Sequence, residues 1–421
     1  MGTSEMRLML GYSHVGGLTL AGSDSSYEAP PKVLIVVEAA GGGSGRHVIE
    51  LAEGLVSAGC SVHLIYSELR MDANFRSGLA GLKGVRLLSV PMRREPHWSD
   101  FACMMRIRQY IRTAGGFDVI HAHSSKAGVL ARLAAVGSGA ARIYTPHAMR
   151  TMDPTLNPIL HLFCRITEVA LARMCSDSVI AVSSSERSHI VSQGVPPEKT
   201  CVVVNGVPRV PPTDRQAIRR SLGIAENDFC VGFIGRLVIQ KAPERFIDAF
   251  AALARSVPNV RGVIVGSGPL QESVHAAARD AGVFHKIAWI TDQPGPAVLP
   301  AFDVLLLPSL YEGMPYVLLE ALAVGVPIVS TDVGGAEEAI EDGLTVYILP
   351  QNAARELEAH LVRLAKDEML RQKMKAASLR KSLDLSLEHM VGQTIAVYRG
   401  VLRSQHPDRP RIAVSFDPKR V

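Results

Sequence analysis

From Lys32 onward, short apolar runs alternate with longer stretches in which apolar positions recur at helical spacing. Continuous Val/Ile runs are typical of strands covered on both faces, so the pattern predicts mostly parallel sheets built from βαβ units. In the first half the predicted strands are Val33–Val37, Val62–Tyr66, Val85–Val90, Asp118–His121, Ile143–Tyr144, Ser178–Val182 and Cys201–Val204. In the second half they are Cys230–Ile234, Gly262–Val265, Lys286–Trp289, Val304–Leu307 and Ile328–Ser330.

A Pro/Gly-rich segment interrupts this rhythm after Val204, and such clusters are typical of interdomain linkers. A chain of 421 residues also favours two domains. The predicted parts are an extension (1–31), a first domain (32–205), a linker (206–213), a second domain (214–385), a terminal helix (386–403) and a polar tail (404–421). The fold class is therefore α/β, with two doubly wound, Rossmann-like domains facing each other across a cleft that binds the ligand.

Composition narrows the class of protein. A hydrophobic content of 47% with 20% charged residues is ordinary for a globular protein, and the net charge is only +5. Basic residues concentrate between Arg70 and Arg112, where Trp98–Arg112 has the pattern of a basic amphipathic helix. Such helices contact anionic membranes, and a solvated surface helix has the same pattern, so both interpretations stay open. The low aromatic content and the absence of a recognition motif exclude nucleic acid as a partner.

Six cysteines without a CxxC pair favour reduced thiols and a cytoplasmic location. No apolar run reaches the length of a membrane-spanning helix, and the first thirty residues lack a signal-peptide core, so they are expected to be disordered. Asp, His and Cys do not cluster with metal-ligand spacing, so neither a metal nor another cofactor is expected.

The segment Pro308–Pro327 carries the strongest chemical signal. It runs from a strand through a Pro/Gly turn into an apolar helix, with Glu312 in the turn and Glu320 in the helix. At helical rise the two carboxylates are roughly 10 Å apart, which suits two hydroxyl-bearing groups of one elongated ligand. The alternative is an acidic helix start with one satisfied core glutamate. The residues expected to offer backbone groups to the ligand at this positive helix end are Gly313, Met314, Pro315 and Tyr316.

Two cations follow the first strand of the second domain. Arg236 and Lys241 are expected at the carboxyl end of that strand, where a guanidinium fork and an ammonium group could hold a diphosphate. Two solvated surface cations are the alternative.

Two glycine turns also follow strands. The Gly41–Gly45 loop follows the first strand and fits either a phosphate approach or a simple tight turn. Gly266 and Gly268 lie in a turn suited to ribose or base contacts. His147 follows a short strand and would face the cleft, although an isolated histidine is more often structural.

In combination these motifs resemble retaining glycosyltransferase family four, the group-1 enzymes with the GT-B fold. The resemblance covers about Lys32 to Arg403. The motifs that carry it are Gly235-Arg236…Lys241, Gly266-Ser-Gly268, Pro308–Pro327, Asp332-Val-Gly-Gly335, the Gly41–Gly45 loop, Phe117–His123, Thr145-Pro-His147, Ala181-Val-Ser183 and Val203–Gly206.

The resemblance implies a role for each matching residue. Arg236 and Lys241 would hold the nucleotide diphosphate, and Glu320 would accept hydrogen bonds from the ribose. Glu312 and the backbone of Gly313–Tyr316 would fix the donor sugar. The residues implied at the border with the first domain are His147, on the donor sugar, and Gly42 and Gly43, beside the diphosphate and the acceptor.

The resemblance also implies a metal-independent enzyme whose C-terminal helix crosses back to the first domain. The chain departs from the family pattern at Ala242, where a glycine commonly follows the lysine. The pair Arg46-His47 resembles members that build bacterial exopolysaccharides.

The predicted function is transfer of a sugar from a nucleotide-diphosphate donor to a glycan acceptor, with retention of configuration, in polysaccharide biosynthesis. The basic Arg70–Arg112 region suggests an acceptor linked to a lipid such as undecaprenyl diphosphate, and peripheral contact with an anionic membrane at the inner face of the cell membrane. The alternatives are a sugar-nucleotide 2-epimerase of the same fold and a non-catalytic nucleotide-sugar binding protein.

Overall fold

The structure is a computed structural model that describes residues 30–208, 210–211, 213–340 and 344–405. The predictions for the N-terminal extension and for the polar tail lie almost entirely outside these residues. None of the described helices combines the length and the apolar character that a bilayer crossing requires.

Seven parallel strands form the first sheet, in the order β3-β2-β1-β4-β5-β6-β7. The central strand β1 pairs on one side with β2 and on the other with β4, and all but its first residue is buried. The strands are β1 (Lys32–Val37), β2 (Ser61–Tyr66), β3 (Val85–Ser89), β4 (Val119–His123), β5 (Ala141–Thr145), β6 (Ser178–Ala181) and β7 (Thr200–Val202).

Six parallel strands form the second sheet, in the order β10-β9-β8-β11-β12-β13. Here β8 occupies the position that β1 has in the first sheet, between β9 and β11. The strands are β8 (Phe229–Ile234), β9 (Val260–Val265), β10 (Ile287–Ile290), β11 (Val304–Leu307), β12 (Ile328–Thr331) and β13 (Val346–Leu349).

Helices cover both faces of each sheet, and each lobe contains two apolar clusters, one on either side of its sheet. The helices are α1 (Gly42–Ser57), α2 (Ala73–Gly81), α3 (Ser99–Thr113), α4 (Ser125–Ala134), α5 (Pro158–Cys175), α6 (Ser184–Ser192), α7 (Arg215–Ser221), α8 (Pro243–Ser256), α9 (Gln271–Asp280), α10 (Gly295–Val298), α11 (Tyr316–Val324), α12 (Ala354–Lys366), α13 (Glu368–Ser382) and α14 (Leu387–Gln405).

Every predicted strand is present, and the ends differ from the prediction by at most two residues. Strand β13 was not predicted. It is a short edge strand whose two middle residues are only partly buried, and such a strand gives a weak hydrophobic pattern.

Helix α14 belongs by sequence to the end of the chain but packs against the first lobe. Val391 lies against Gly54 of α1, where a Cβ atom would come within 2.4 Å of its side chain. The Tyr398 hydroxyl lies 2.7 Å from Nδ1 of His121 in β4. The chain therefore passes between the lobes twice, and the two passages touch at the bridge between Val207 and Ser386.

Candidate functional site between the lobes

The loops that follow β1 and β8 open toward each other. Each of these strands lies where the strand order of its sheet reverses, with neighbours on both sides. In doubly wound sheets ligands bind outside the carboxyl ends of strands at this place. The cleft between the two loops is therefore the candidate site.

In the first lobe, α1 begins with glycines. Gly42 has φ +57°, a left-handed conformation that glycine adopts without strain, and its N–H donates to Asp72 Oδ2 at 2.8 Å. A Cβ on Gly43 would lie 3.4 Å from the Tyr316 ring of the other lobe. An added Cβ would therefore make only ordinary contacts across the lobes, and what requires a glycine here is the left-handed backbone of Gly42.

Arg236 lies opposite this loop. A Cβ on Gly42 would be 4.0 Å from Arg236 Nε, and the side chain has no ion pair or hydrogen bond with any residue in the described part of the chain. Desolvation and then the charges of Arg70 and Arg94 lower the pKa of its guanidinium. The structure thus brings a cation to the glycine loop, with Arg70 and Arg94 and the acids Glu312 and Asp72 near enough to affect its pKa, and its predicted role of holding a diphosphate stays a prediction.

Gly266 and Gly268 pack against the backbone on either side of Arg236. Added Cβ atoms would come within 2.1 Å of the Gly235 carbonyl oxygen and within 2.4 Å of the Leu237 carbonyl oxygen, respectively. Only glycine allows two backbones to approach this closely. Their observed role is close packing under Arg236, and the predicted ribose or base contact stays a prediction.

Lys241 and Glu312 form an ion pair at 2.5 Å between Nζ and Oε1. Gln240 Nε2 donates to the Tyr311 carbonyl at 3.1 Å, which fixes the turn that carries Glu312. Both side chains were predicted to hold parts of one donor, and the structure places them in direct contact. A bound diphosphate would share the Lys241 ammonium with Glu312.

Ala242, the departure from the family pattern, has φ +45° and ψ +55° and caps α8. A left-handed conformation strains every residue except glycine, which explains why a glycine is common at this position. Ala242 therefore has a strained backbone at the position where the Lys241 loop ends and α8 begins.

Helix α11 begins directly after the Pro/Gly turn that contains Glu312. Pro315 is the N-cap, with extended backbone angles, and Tyr316 is the first helical residue. Glu320 is buried as expected, but its carboxylate forms an ion pair with Arg46 from α1. Arg46 also binds Glu50 at 2.7 Å. To accept hydrogen bonds from the ribose as predicted, Glu320 would either have to release Arg46 or bind the ribose and Arg46 at the same time.

Tyr316 and Asn205 join the lobes near the same place. Asn205 Nδ2 donates to the Met314 carbonyl at 3.2 Å, so its Oδ1 accepts from His47 Nδ1 at 3.0 Å. The Tyr316 hydroxyl lies 3.2 Å from His47 Nδ1. Asn205, assigned to the border of the linker from its sequence, is in fact buried in the site.

Three histidines meet in the first lobe, of which His47 and His123 are buried and His147 is partly buried. Ligand-capable ring nitrogens of His47, His123 and His147 lie within 4.8 Å of one another, and His123 Nδ1 is 3.0 Å from His147 Nε2. Burial lowers the pKa of His47 to about 4 and those of the other two well below 6.5, so the rings are neutral. Neutral imidazoles at this spacing could bind one Zn²⁺ ion. The three histidines lie far apart along the chain, so their spacing did not predict this cluster, and the expected absence of a metal stays a prediction.

His147 and Ala148 both have positive φ, at +55° and +71°. The Glu186 carboxylate accepts from Ala148 N at 2.7 Å and from Val182 N at 2.8 Å, which holds this strained turn. Gly313 lies against the turn, since its added Cβ would be 2.7 Å from Ala148 N. Burial raises the pKa of Glu186 to about 7, although the hydrogen bonds from backbone N–H groups act to lower it. Glu186 ends a Ser-x-x-Glu pattern that begins at Ser183 and is typical of a helix start. This pattern is the feature of the sequence by which Glu186 could have been identified.

A basic depression of about 470 Å³ lies on the first lobe, and two arginines of its lining, Arg70 and Arg94, are near enough to Arg236 to lower the pKa of its guanidinium. It is lined by Leu69, Arg70, Arg93, Arg94, Glu95, Pro96 and His97. Arg70 is paired with Glu38 at 3.0 Å, and Arg94 lies 3.7 Å from Glu95. Arg93 has no ion pair with any described residue, so the depression retains positive charge.

Two family descriptions match the chain. Residues 41–209 match "Glycosyltransferase Family 4", and residues 214–381 match "Glycosyl transferases group 1". Together they cover both lobes and the loops described above.

Named relatives include a D-inositol 3-phosphate glycosyltransferase of Kribbella flavida, which is 28% identical over 85% of this chain and 90% of its own length. An Escherichia coli UDP-Gal:alpha-D-GlcNAc-diphosphoundecaprenol alpha-1,3-galactosyltransferase is also 28% identical, over 60% of this chain and 68% of its own. Anabaena HepE in complex with UDP-glucose superposes with a TM-score of 0.75 at 21% identity, over 88% of this chain and 100% of HepE. WaaG, a lipopolysaccharide glycosyltransferase, gives 0.70 at 17% identity, over 87% and 100%. The structural matches show the fold.

Proposed function

Because the chain belongs to the family 4, group 1 glycosyltransferases of the GT-B fold, we propose that it moves a sugar from a nucleotide-diphosphate donor to a glycan acceptor with retention of configuration. The observation that carries this is the grouping of Arg236, Lys241 and Glu312 on one side of the cleft, opposite the His147 turn. Cations for a diphosphate and a carboxylate for sugar hydroxyls thus occupy one site.

Catalysis would rest on stabilising the charge that develops on the leaving diphosphate. Arg236 and Lys241 are fixed cations at the end of β8, and the N-terminus of α11 adds its dipole. Retention would follow from front-face attack, in which the leaving phosphate oxygen accepts the proton of the acceptor hydroxyl. With two side-chain cations at this place, the proposed reaction needs no metal.

The basic depression beside Arg236 supports an acceptor that carries phosphate. Arg70, Arg93 and Arg94 offer guanidinium groups, which bind phosphate oxygens in pairs. The Escherichia coli relative is named for a diphosphoundecaprenol substrate. We therefore include a lipid-diphosphate acceptor and a role in polysaccharide synthesis in the proposal.

Such an acceptor implies a protein at the cytoplasmic membrane face, in contact with anionic lipid through α3. Arg106 and Arg112 are exposed on α3 and fit this role. Arg108 does not serve as a free cation, because it donates to the carbonyls of Ala134 and Val136 at 3.3 and 3.0 Å.

The test begins with a thermal-shift screen of UDP-, GDP- and ADP-sugars, in which the specific donor raises the apparent stability. The chosen donor is then incubated with a diphosphate-linked acceptor, with and without EDTA, and the anomeric configuration of the product is determined by NMR. Transfer with retention in EDTA supports the proposal. Isomerisation of the donor without acceptor would favour the epimerase, and binding without turnover would favour a non-catalytic protein.

A further inference from the structure

Three imidazole rings converge at one edge of the first sheet. His47 lies on α1, which follows β1, while His123 is the last residue of β4 and His147 lies in the turn after β5. Because β1, β4 and β5 are neighbours in a parallel sheet, their carboxyl ends meet at the same edge. The ring centre of His47 is 4.5 Å from that of His147 and 5.3 Å from that of His123. The fold thus gathers three histidines from three separate segments of the chain.

The spacing of the ring nitrogens suits a single metal ion. One nitrogen from each ring lies within 4.8 Å of the other two, and His123 Nδ1 is 3.0 Å from His147 Nε2. With Zn–N bonds of about 2.0–2.1 Å, two nitrogens on one tetrahedral zinc ion are roughly 3.3 Å apart. Without an ion, one of these two rings donates a hydrogen bond to the other. Modest side-chain rotations would therefore bring all three nitrogens to coordination distance.

The hydrogen bond of His47 leaves the other nitrogen of its ring available. Asn205 Nδ2 donates to the Met314 carbonyl, so Asn205 Oδ1 accepts, and His47 Nδ1 carries the hydrogen of the bond between them. The lone pair of the ring is then on Nε2, an atom through which neutral histidine binds metals. A partner that fixes the tautomer in this way is typical of metal-binding histidines.

The other two rings show that the cluster is incomplete. His123 Nε2 is buried and has no hydrogen-bond partner in the part of the chain that the structure describes. Buried polar atoms are normally satisfied, so such an exception indicates a missing partner, for which an ion is one candidate. His147 has φ +55°, a strained conformation for a residue with a side chain, and such strain concentrates at functional sites. Both features favour a site that a ligand completes.

His147 gives the cluster an opening. It is partly exposed, whereas His47 and His123 are buried, so an ion would enter from the side of His147. The turn that carries His147 packs against Gly313, whose added Cβ would lie 2.7 Å from Ala148 N. Since Gly313 directly follows Glu312 in the chain, the cluster is next to the place proposed for the donor sugar.

We propose that His47, His123 and His147 bind one divalent transition-metal ion of the zinc class, with a fourth coordination position left open at the cleft. Zinc accepts three histidines and one open position, whereas magnesium and calcium prefer oxygen ligands. An ion that takes a ring nitrogen of His147 removes the contact that this residue is proposed to make with the donor sugar. Zinc therefore inhibits sugar transfer reversibly, in competition with the donor. Only this inhibition rests on the proposed function, and the binding of the ion does not.

The first test measures binding of the ion to the metal-free full chain without nucleotide. Calorimetry with Zn²⁺ should show one site, and Co²⁺ should give the intense visible absorption of a tetrahedral complex. His47→Gln, His123→Gln and His147→Gln should each lower the affinity for Zn²⁺ by at least about a hundredfold, because losing a ligand costs more than losing an outer-shell partner. The matched control is His285→Gln, which alters an exposed histidine of the second lobe and should leave the affinity unchanged.

The outcomes of this test separate the cluster from other histidines. No binding of Zn²⁺ to the wild type, or equal affinity in the wild type and the cluster variants, would overturn the proposal. A loss of binding in the His285 variant would do the same, because it would assign the ion to surface histidines. Urea unfolding checks that each variant is folded, and His147→Gln, at the open side, tests the site even if the two buried substitutions prevent folding.

The second test measures competition with the donor. Free Zn²⁺ is held constant by a metal buffer, because diphosphates themselves chelate zinc. Zn²⁺ should raise the apparent KM for the donor without changing kcat, and excess EDTA should restore the original KM. Zn²⁺ that binds the cluster but leaves this KM unchanged would refute the blocking role. If no donor is found, the proposed function fails, while the metal titration still decides whether the site exists.

Discussion

The loops after β1 and β8 occupy equivalent places in their sheets but contribute different chemistry. The first opens α1 with glycines and leads to neutral histidines, whereas the second presents Arg236 and Lys241. Both contain a left-handed residue, Gly42 in the first and Ala242 in the second. The fold therefore provides an equivalent loop in each lobe, and the residue types differ, with a glycine turn after β1 and two cations after β8.

If the charge lies in the second lobe, its cations should dominate turnover. Arg236→Ala or Lys241→Ala should lower kcat by about 10²–10³, or about 3–4 kcal/mol, because each removes a contact to the leaving diphosphate. Steady-state kinetics at saturating donor measures this, with Lys373→Ala as an exposed control of equal charge change. Turnover near that of the wild type in both cation variants would end this division of roles.

The neutral histidines of the first lobe predict a pH dependence of stability. Burial lowers the pKa of His47 from 6.5 to about 4, so in that window the unfolded chain binds more protons and the free energy of unfolding falls as the pH falls. Glu186, with its pKa raised to about 7, acts in the opposite sense, since it favours the folded protein at low pH.

Urea unfolding between pH 7.5 and 4.5 measures the effect. His47→Gln should reduce the loss of stability on acidification by up to about 3 kcal/mol, because it removes one buried group that must be neutral. The same slope in variant and wild type would mean that His47 is already neutral, or equally charged, in both folded and unfolded chains.

Exchanging the left-handed residues should have the smallest effect. Gly42→Ala should lower the free energy of unfolding by about 1 kcal/mol and Ala242→Gly should raise it by a similar or smaller amount, because only glycine tolerates positive φ without strain. Gly43→Ala is the control, since its added Cβ would make an ordinary 3.4 Å contact with Tyr316. Thermal or urea unfolding reports all three, and a stabilising Gly42→Ala or a destabilising Ala242→Gly would contradict the assigned conformations.

The sequence predicted both sheets because their strands are continuous apolar runs, and Val304–Leu307 was bounded correctly. The family resemblance implied that Arg236, Lys241 and Glu312 bind one donor, and in the structure Lys241 and Glu312 are in contact. Contacts between distant segments were out of reach. The pairing of Arg46 with Glu320, the position of Asn205 and the histidine cluster all depend on how the lobes and strands meet in space.

Helix α5 shows a further limit of prediction from sequence, because its apolar residues Ile159, Leu162, Phe163 and Ile166 are exposed to solvent. Apolar spacing predicts which residues of a helix share a face, but not whether that face meets the core or solvent. Glu186 shows another: its spacing from Ser183 indicates a helix cap, while its bond to Ala148 comes from the adjacent loop.

The central claim is that the second-lobe cations grip a nucleoside diphosphate in the cleft. Titration calorimetry of UDP, GDP and ADP into the wild type and into the Arg236→Ala/Lys241→Ala double variant tests it most directly. We expect saturable binding of one diphosphate to the wild type and its loss, by at least about a hundredfold in Kd, in the double variant. Equal affinity in both proteins, or no binding of any of the three to the wild type, would contradict the account.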